Sequence, residues 1–181
     1  MRVDLIDTTS DFIPLALFYL KSYAETDPLI QQKTSINIVN PKNTLNIEDT
    51  AEEILRGNPD IIGFSCYIWN MENTVNICDR IKEIKPEITI IVGGPDVSSV
   101  PEKTLEKFPS IDVIVCGEGE ETFRELIHYW ENIDNNKKGE FFINILDKNS
   151  NSSFFVDYFD NYLNNLKNKS LNYYTNNILD H

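Results

Sequence analysis

Two short runs of β-branched residues, each ending in glycines, constrain the fold of this chain more than any other feature. Residues 88–92 lead into Gly-Gly-Pro at 93–95, and residues 112–115 lead into Cys-Gly-Glu-Gly at 116–119. A helical pattern follows each run, as parallel strands require, because they need a crossover connection. Glycines at the ends of parallel strands leave the backbone accessible at the edge where open sheets bind ligands. These two segments therefore predict a parallel sheet with a binding site at its carboxyl edge.

The first 131 residues alternate between strand and helix patterns. The strand patterns cover residues 3–6, 34–39, 60–65, 88–92 and 112–115, and the helix patterns cover 13–24, 47–56, 73–84, 101–107 and 120–131. This alternation predicts an α/β fold, with a doubly wound parallel five-stranded sheet in the flavodoxin-like order 2-1-3-4-5. The first helix pattern is apolar almost all round, so we expect it to be heavily buried.

The composition changes after residue 131 and becomes rich in asparagine. We therefore predict one domain over residues 1–131 and an extension over residues 132–181. Within the extension, two apolar runs at 141–146 and 153–156 flank the turn-rich sequence DKNSNS, which predicts a β-hairpin. Tyrosines and a leucine on loose helical spacing predict a helical tail over residues 157–181.

Charge and composition exclude several classes of partner. The chain has 181 residues, a net charge of −13 and 41% hydrophobic residues, enough for a sizeable core. No cluster of Lys and Arg is present, so we expect neither nucleic acid nor an anionic membrane surface as a partner. We also find no signal peptide and no apolar run of membrane-spanning length, which predicts a cytoplasmic location.

The three cysteines are Cys66, Cys78 and Cys116, an odd number at wide spacing that does not indicate a disulfide framework. A zinc site takes about four clustered Cys or His ligands, which the chain lacks. Cys66 and Cys116 both follow strands and could be neighbours. No histidine lies in a segment suited to activate them, so we do not expect a cysteine nucleophile.

Four loops follow predicted strands at the carboxyl edge of the sheet, at residues 7–12, 66–70, 93–98 and 116–120. Glycines in such loops can serve simply to turn the chain, but two glycine clusters at neighbouring strand ends favour a ligand site. Carboxylates at the start of the last helix suit the helix dipole and repel a phosphate. Together with the missing GxGxxG after the first strand, they argue against a dinucleotide.

Three segments together resemble a known family. PDIIGFSCYIWN, IIVGGPDVS and DVIVCGEGEETF look like the N-terminal cobalamin-binding domain of B12-dependent radical-SAM proteins, in particular the Fe–S oxidoreductases related to magnesium-protoporphyrin IX monomethyl ester cyclase. The similarity covers residues 1–131 and implies a Rossmann-like domain that holds cobalamin at the strand ends. The candidate cofactor-binding residues are Thr8, Thr9, Ser10, Ser65, Cys66, Tyr67, Trp69, Asn70, Gly93, Gly94, Pro95, Gly117, Glu118 and Gly119.

The resemblance also implies roles for some of these residues. The nucleotide tail of cobalamin would run into the sheet's groove against Gly93 and Gly94, and Gly117 and Gly119 would let the cofactor pass the fifth strand. The Ser65 hydroxyl would bond the benzimidazole or a corrin amide, or it is simply satisfied by backbone.

The first loop reads DTTSDFI and lacks the Asp-x-His-x-x-Gly motif of mutases and methionine synthase, whose histidine binds cobalt. His128 falls late in the last helix and His181 is terminal, so we expect base-off cobalamin without a histidine ligand. Tyr67 or Asn70 could approach the lower face of cobalt as a weak oxygen donor, with aromatic rings covering the macrocycle. Alternatively, Tyr67 and Trp69 plug the core.

The cysteines do not form the Cys-x3-Cys-x2-Cys motif of radical-SAM enzymes. We therefore expect S-adenosylmethionine and a 4Fe-4S cluster only in a full-length parent, with a radical-SAM catalytic domain in cis or trans. The chain is then a domain of a longer protein or a stand-alone relative that binds without catalysing. Two alternatives remain open: a flavodoxin-like flavin or nucleotide domain using residues 8–10, and a degenerate interaction domain that docks through its tail.

Overall fold

A single parallel sheet organises the chain. The computed structural model describes residues 1–8, 13–132 and 145–146. The strands follow the order β2-β1-β3-β4-β5-β6, and every neighbouring pair is parallel. The order predicted for the first five strands is confirmed. The strands are β1 (Arg2–Ile6), β2 (Ser35–Val39), β3 (Ile61–Ser65), β4 (Thr89–Gly93), β5 (Val113–Val115) and β6 (Ile145–Leu146).

The sixth strand falls within the apolar run predicted as the first strand of the hairpin. It pairs in parallel with β5 and extends the sheet by one strand beyond the predicted five. The other strand of that hairpin, at residues 153–156, lies outside the described residues. The helical tail predicted over residues 157–181 also lies outside them.

Helices cover both faces of the sheet, in agreement with a doubly wound fold. Helices α1, α2 and α7 pack on one face, and α3 to α6 pack on the other. Two short helices were not predicted: α2 follows the first helix, and α5 falls within the predicted loop at residues 93–98. The helices are α1 (Leu15–Ala24), α2 (Pro28–Lys33), α3 (Ile47–Leu55), α4 (Met71–Ile84), α5 (Pro95–Ser98), α6 (Pro101–Lys107) and α7 (Gly119–Asn132).

Side chains along each strand point alternately to the two faces of the sheet, so the core has two layers. In β1, Val3 and Leu5 pack beneath α1 and α7, whereas Ile6 packs beneath the helices of the opposite face. The middle of β3 is buried on both faces, as expected for a central strand of a parallel sheet. Successive residues at a strand end therefore reach different sides of the sheet.

The expectation that the first helix is heavily buried is wrong. In α1, Leu17 and Ala24 are buried, but Leu15 is 59% exposed and Tyr19 is 61% exposed. The helix packs against α7 and turns a single stripe toward the sheet, so its remaining apolar residues point outward. The apolar composition of a helix does not by itself set its burial. Burial depends on how much of the helix surface the neighbouring elements cover.

His128 lies in the last turns of α7, away from the carboxyl ends of the strands. Its Nδ1 is 2.6 Å from Asp27 Oδ2, and Asp27 caps α2 by accepting a hydrogen bond from the Leu29 N–H at 2.8 Å. Burial raises the pKa of Asp27, but the hydrogen bond with His128 and those from the backbone lower it further, so that the net pKa lies below its usual value. The contact between His128 and Asp27 therefore links α7 to the start of α2.

Replacing Asp27 by asparagine keeps the cap and removes the charge facing His128. Because the folded-state pKa of Asp27 is depressed, its contribution is present above the unfolded-state pKa and is lost as the pH falls through the folded-state pKa. We expect Asp27→Asn to lower the free energy of unfolding by roughly 0.5–1 kcal/mol near neutral pH. Urea unfolding at several pH values measures the difference, which should shrink toward acid pH. A difference independent of pH would contradict this account.

Candidate cofactor-binding site

A cavity of about 200 Å³ lies at the carboxyl ends of the strands, between the sheet and helices α1 and α7. Two rows of paired strand residues form its floor: Leu5, Gly63 and Ile91 in one row, and Ser65, Gly93 and Val115 in the other. The helices contribute apolar side chains, and the loop after β5 contributes glycines and carboxylates. The remaining lining residues are Phe64, Tyr67, Gly94, Ala16, Leu17, Leu20, Gly117, Glu118, Gly119, Glu120 and Phe123.

Two glycines in the floor, which have no side chain, keep this cavity open. A Cβ on Gly63 would lie 2.7 Å from Leu5 Cδ2, and one on Gly93 would lie 3.3 Å from the Val115 carbonyl oxygen. Any larger residue at either position would occupy the floor. Gly63 was not among the predicted site residues, although a glycine in the middle of a strand signals a close approach of another group.

Gly94 joins the ends of β3 and β4. Its φ of 111° and ψ of 170° fall in a region that is essentially restricted to glycine. A Cβ at this position would lie 2.4 Å from the Cys66 carbonyl oxygen. The Cys66 N–H also donates to the Gly93 carbonyl at 2.7 Å. The Gly-Gly pair therefore allows the two loops to touch through their backbones, and Pro95 begins α5 on the exposed side.

Asn70 fastens the loop after β3 to the end of β1. It is 5% exposed, and its Nδ2 donates to Thr8 Oγ1 and to the Ser65 carbonyl, both at 2.9 Å. Its Oδ1 accepts from the Tyr67 N–H at 2.7 Å. With both ends of the amide engaged, Asn70 organises the loops. Its approach to cobalt as an oxygen donor stays a prediction.

Two aromatic rings stack at the rim of the cavity. The Tyr67 and Trp69 ring centroids are 4.7 Å apart with an interplanar angle of 4°. Tyr67 is half-buried and lines the cavity, while Trp69 is 67% exposed and lies on the outer side. The alternative that both rings plug the core is therefore wrong for Trp69.

The cysteines belong to the opposite layer. Cys66, Cys78 and Cys116 are all buried in the core beneath α3 to α6. Burial, followed by the nearby Asp96 charge, raises the pKa of the Cys66 thiol to about 12, and burial also raises that of Cys78. A raised pKa keeps the Cys66 and Cys78 thiols in the protonated form, which is a poor nucleophile. No group of three metal-ligating side chains occurs in the described part of the chain.

The loop after β5 forms the far wall of the cavity. Gly117 has a φ of 72°, and both Gly117 and Glu118 are exposed, whereas Gly119 begins α7. Of the predicted first-loop residues, Thr8 is buried beside Asn70. Thr9 and Ser10 lie outside the described residues.

The family model of the B12 binding domain matches residues 1–127 of the chain. The chain belongs to the B12-binding domain family. None of the helices described for this B12-binding domain is both long enough and apolar enough to cross a bilayer.

The relatives of this B12-binding domain are several times longer than it. The cobalamin-dependent radical SAM methyltransferase TokK of Streptomyces tokunonensis is 34% identical over 120 residues, which cover 64% of this chain and 17% of TokK. An anaerobic magnesium-protoporphyrin IX monomethyl ester cyclase of Rubrivivax gelatinosus is 30% identical over 112 residues, covering 60% of this chain and 18% of the cyclase. The chain therefore matches less than a fifth of the length of each.

Solved structures show the same fold. The cobalamin-dependent S-adenosylmethionine radical enzyme OxsB, with aqua-cobalamin and S-adenosylmethionine bound, superposes with a TM-score of 0.58 at 25% identity, covering 75% of this chain and 19% of OxsB. The radical S-adenosylmethionine methyltransferase TsrM of Kitasatospora setae also gives a TM-score of 0.58. At 19% identity, with 74% of this chain and 26% of TsrM covered, TsrM supports the fold alone.

The structure brings half of the predicted site residues together around one cavity. They are Ser65, Tyr67, Gly93, Gly94, Gly117, Glu118 and Gly119. Thr8, Cys66, Trp69, Asn70 and Pro95 are not part of its lining. Sequence reasoning missed the apolar lining from β1, β4, α1 and α7, because these residues are indistinguishable from ordinary core residues until the packing is known.

Proposed function

We propose that this domain holds cobalamin at the carboxyl edge of the sheet, with the nucleotide tail in the cavity and the base detached from cobalt. The glycine floor at Gly63 and Gly93 is the observation that carries the proposal, because a slot beside a sheet would otherwise be filled by side chains. Apolar cavities of about 150 Å³ take up benzene, so 200 Å³ suits a ring of the lower base.

We propose further that cobalt has no histidine ligand from this domain. The described lining contains no histidine, and His128 is engaged with Asp27. Tyr67 is the candidate for the lower face, since it lines the cavity and carries Trp69 stacked on its ring. In this arrangement the aromatic pair excludes water from beneath the macrocycle, while Gly93 and Gly94 let the tail approach the backbone.

Bound cobalamin would supply methyl-transfer or radical chemistry in a full-length parent, beside S-adenosylmethionine and a 4Fe-4S cluster held by a catalytic domain. The matched lengths of the relatives support such a parent. Exposed apolar residues also lie near the carboxyl edge of the sheet, where we propose that the cofactor binds. They include Ile13, Leu15, Ile68 and Trp69. Such a surface is typical of a contact with another protein surface, here the catalytic domain in cis or trans.

Incubation with hydroxocobalamin, removal of free cofactor by desalting and a visible spectrum test the binding. We expect a coloured protein with about one cobalamin per chain. The acidic mouth of the cavity at Glu118 and Glu120 disfavours flavin phosphates, so flavin mononucleotide should be lost in the same procedure. A colourless protein, or one that retains the flavin instead, would refute the proposal.

Replacing Tyr67 by phenylalanine tests the lower-face assignment, because it removes the hydroxyl and keeps the ring that stacks on Trp69. We expect a shifted cobalamin spectrum with an affinity within about threefold of wild type, since a single weak contact is lost. Trp69→Phe, which leaves the hydroxyl in place, is the matched control and should leave the spectrum unchanged. An unaltered spectrum for Tyr67→Phe would dismiss tyrosine as a ligand.

A further inference from the structure

We propose that the cavity selects corrinoids by the polarity of the lower base, accepting benzimidazoles and discriminating against purines. The inference rests on the proposed function, because it requires the nucleotide tail to enter this cavity. It concerns a ligand class that the fold alone does not specify.

The inner wall of the cavity is apolar. Leu5, Leu17, Ile91 and Phe123 line it, and each is at most 4% exposed. Leu20 closes over Gly119 at the α7 side, where a Cβ on the glycine would lie 3.3 Å from Leu20 Cδ2. A base inserted here exchanges water for hydrocarbon on both ring faces.

The backbone of the floor is already hydrogen-bonded. Leu5, Gly63 and Ile91 pair with one another in the parallel ladder. In the row formed by Ser65, Gly93 and Val115, two carbonyls accept hydrogen bonds. The Gly93 carbonyl accepts one from the Cys66 N–H, and the Ser65 carbonyl accepts one from Asn70 Nδ2. These carbonyls are therefore occupied by partners that hold the strand ends together. A polar base would find little to bond on the floor of the cavity.

Ser65 provides a polar side chain where the floor meets the rim. Its position in β3 places it on the same face as Gly63, two residues earlier. A benzimidazole released from cobalt presents one ring nitrogen that accepts a hydrogen bond, and one hydroxyl donor matches it. Adenine presents further ring nitrogens and an amino group, which this wall would strip of water without replacing their hydrogen bonds.

The carboxylates do not remove this discrimination. Glu118 is exposed and Glu120 is half-buried at the start of α7, so both can accept hydrogen bonds only near the mouth of the cavity. An adenine that used them would have to remain near the mouth and forgo the apolar wall.

Competition between corrinoids tests the inference. We would titrate the full chain with cobalamin, with the cobamide carrying adenine as its lower base, and with cobinamide, which has no base. Cobalamin should bind at least about tenfold more tightly than the adenine cobamide. Equal affinity for the two cobamides would overturn the inference and leave the proposed function standing. Failure to bind any corrinoid would refute the proposed function itself.

Ser65→Ala tests the assigned donor separately. It should weaken cobalamin binding by about fivefold to tenfold and leave cobinamide binding unchanged, because cobinamide has no base to bond. Ser35→Ala, at an exposed serine at the opposite end of the sheet, is the matched control. An equal loss for cobalamin and cobinamide would place the hydroxyl on the corrin ring and contradict the selection mechanism.

Discussion

Replacing Gly94 by alanine should lower the free energy of unfolding by about 3–5 kcal/mol and abolish retention of cobalamin. Two costs combine at this position. A side chain is strained at a φ of 111° and ψ of 170°, by about 1–3 kcal/mol. The added Cβ would also lie 2.4 Å from the Cys66 carbonyl oxygen, a backbone atom that cannot rotate away. The ends of β3 and β4 must separate to relieve the overlap, and the cavity floor then opens.

Gly117→Ala is the matched control, because Gly117 also has a positive φ, at 72°, but is exposed. It should cost about 1–2 kcal/mol, the penalty of the left-handed backbone conformation alone. Urea unfolding of both variants, followed by circular dichroism, measures the difference. Similar losses for the two variants would show that contact with Cys66 does not constrain the strand ends, and the geometry assigned to the Gly-Gly pair would be incorrect.

Asn70→Ala should destabilise the protein by about 2–4 kcal/mol and loosen the aromatic pair. The amide bonds Thr8, the Ser65 carbonyl and the Tyr67 N–H, and it is 5% exposed, so its removal leaves polar groups without partners in a region closed to water. The rim loop between β3 and α4 loses its attachment to β1. In a Trp130→Phe background, Trp69 fluorescence reports the change at the loop, and urea unfolding reports the stability.

Asn73→Ala, in the first turn of α4 just after the rim loop, offers a control. Asn73 makes one hydrogen bond, from its Nδ2 to the Thr44 carbonyl at 2.8 Å, and its removal should cost about 1 kcal/mol or less. The Trp69 signal should stay that of the wild type. If Asn70→Ala behaved like Asn73→Ala in both measurements, Asn70 would not be the residue that holds the rim loop.

Much of the fold was predictable from local patterns. The strands are short β-branched runs with glycine or polar residues at their ends, and the parallel order follows from their alternation with helices. The Gly-Gly pair at 93 and 94 was also recognisable, since two glycines at a strand end indicate a close approach of another group. Two short helices, α2 and α5, were missed because each begins at a proline within a predicted connection.

The candidate site was predictable only in part, and adjacent residues show why. Ser65 and Cys66 were both predicted, but successive residues at a strand end point to opposite faces. Ser65 lines the cavity, whereas Cys66 lies in the core on the other side. Asn70 was also predicted, and its amide joins two loops whose proximity depends on strand order.

The parallel sheet and its glycine-rich carboxyl edge follow from residue types and their spacing along the chain, so they could be read from the sequence. The sequence did not show which face of the sheet carries the cavity or which apolar residues of α1 remain uncovered. Those features depend on where α1 and α7 pack, and thus on contacts between residues far apart in sequence. Leu5, Gly63 and Phe123 line one cavity only because β1, β3 and α7 pack together.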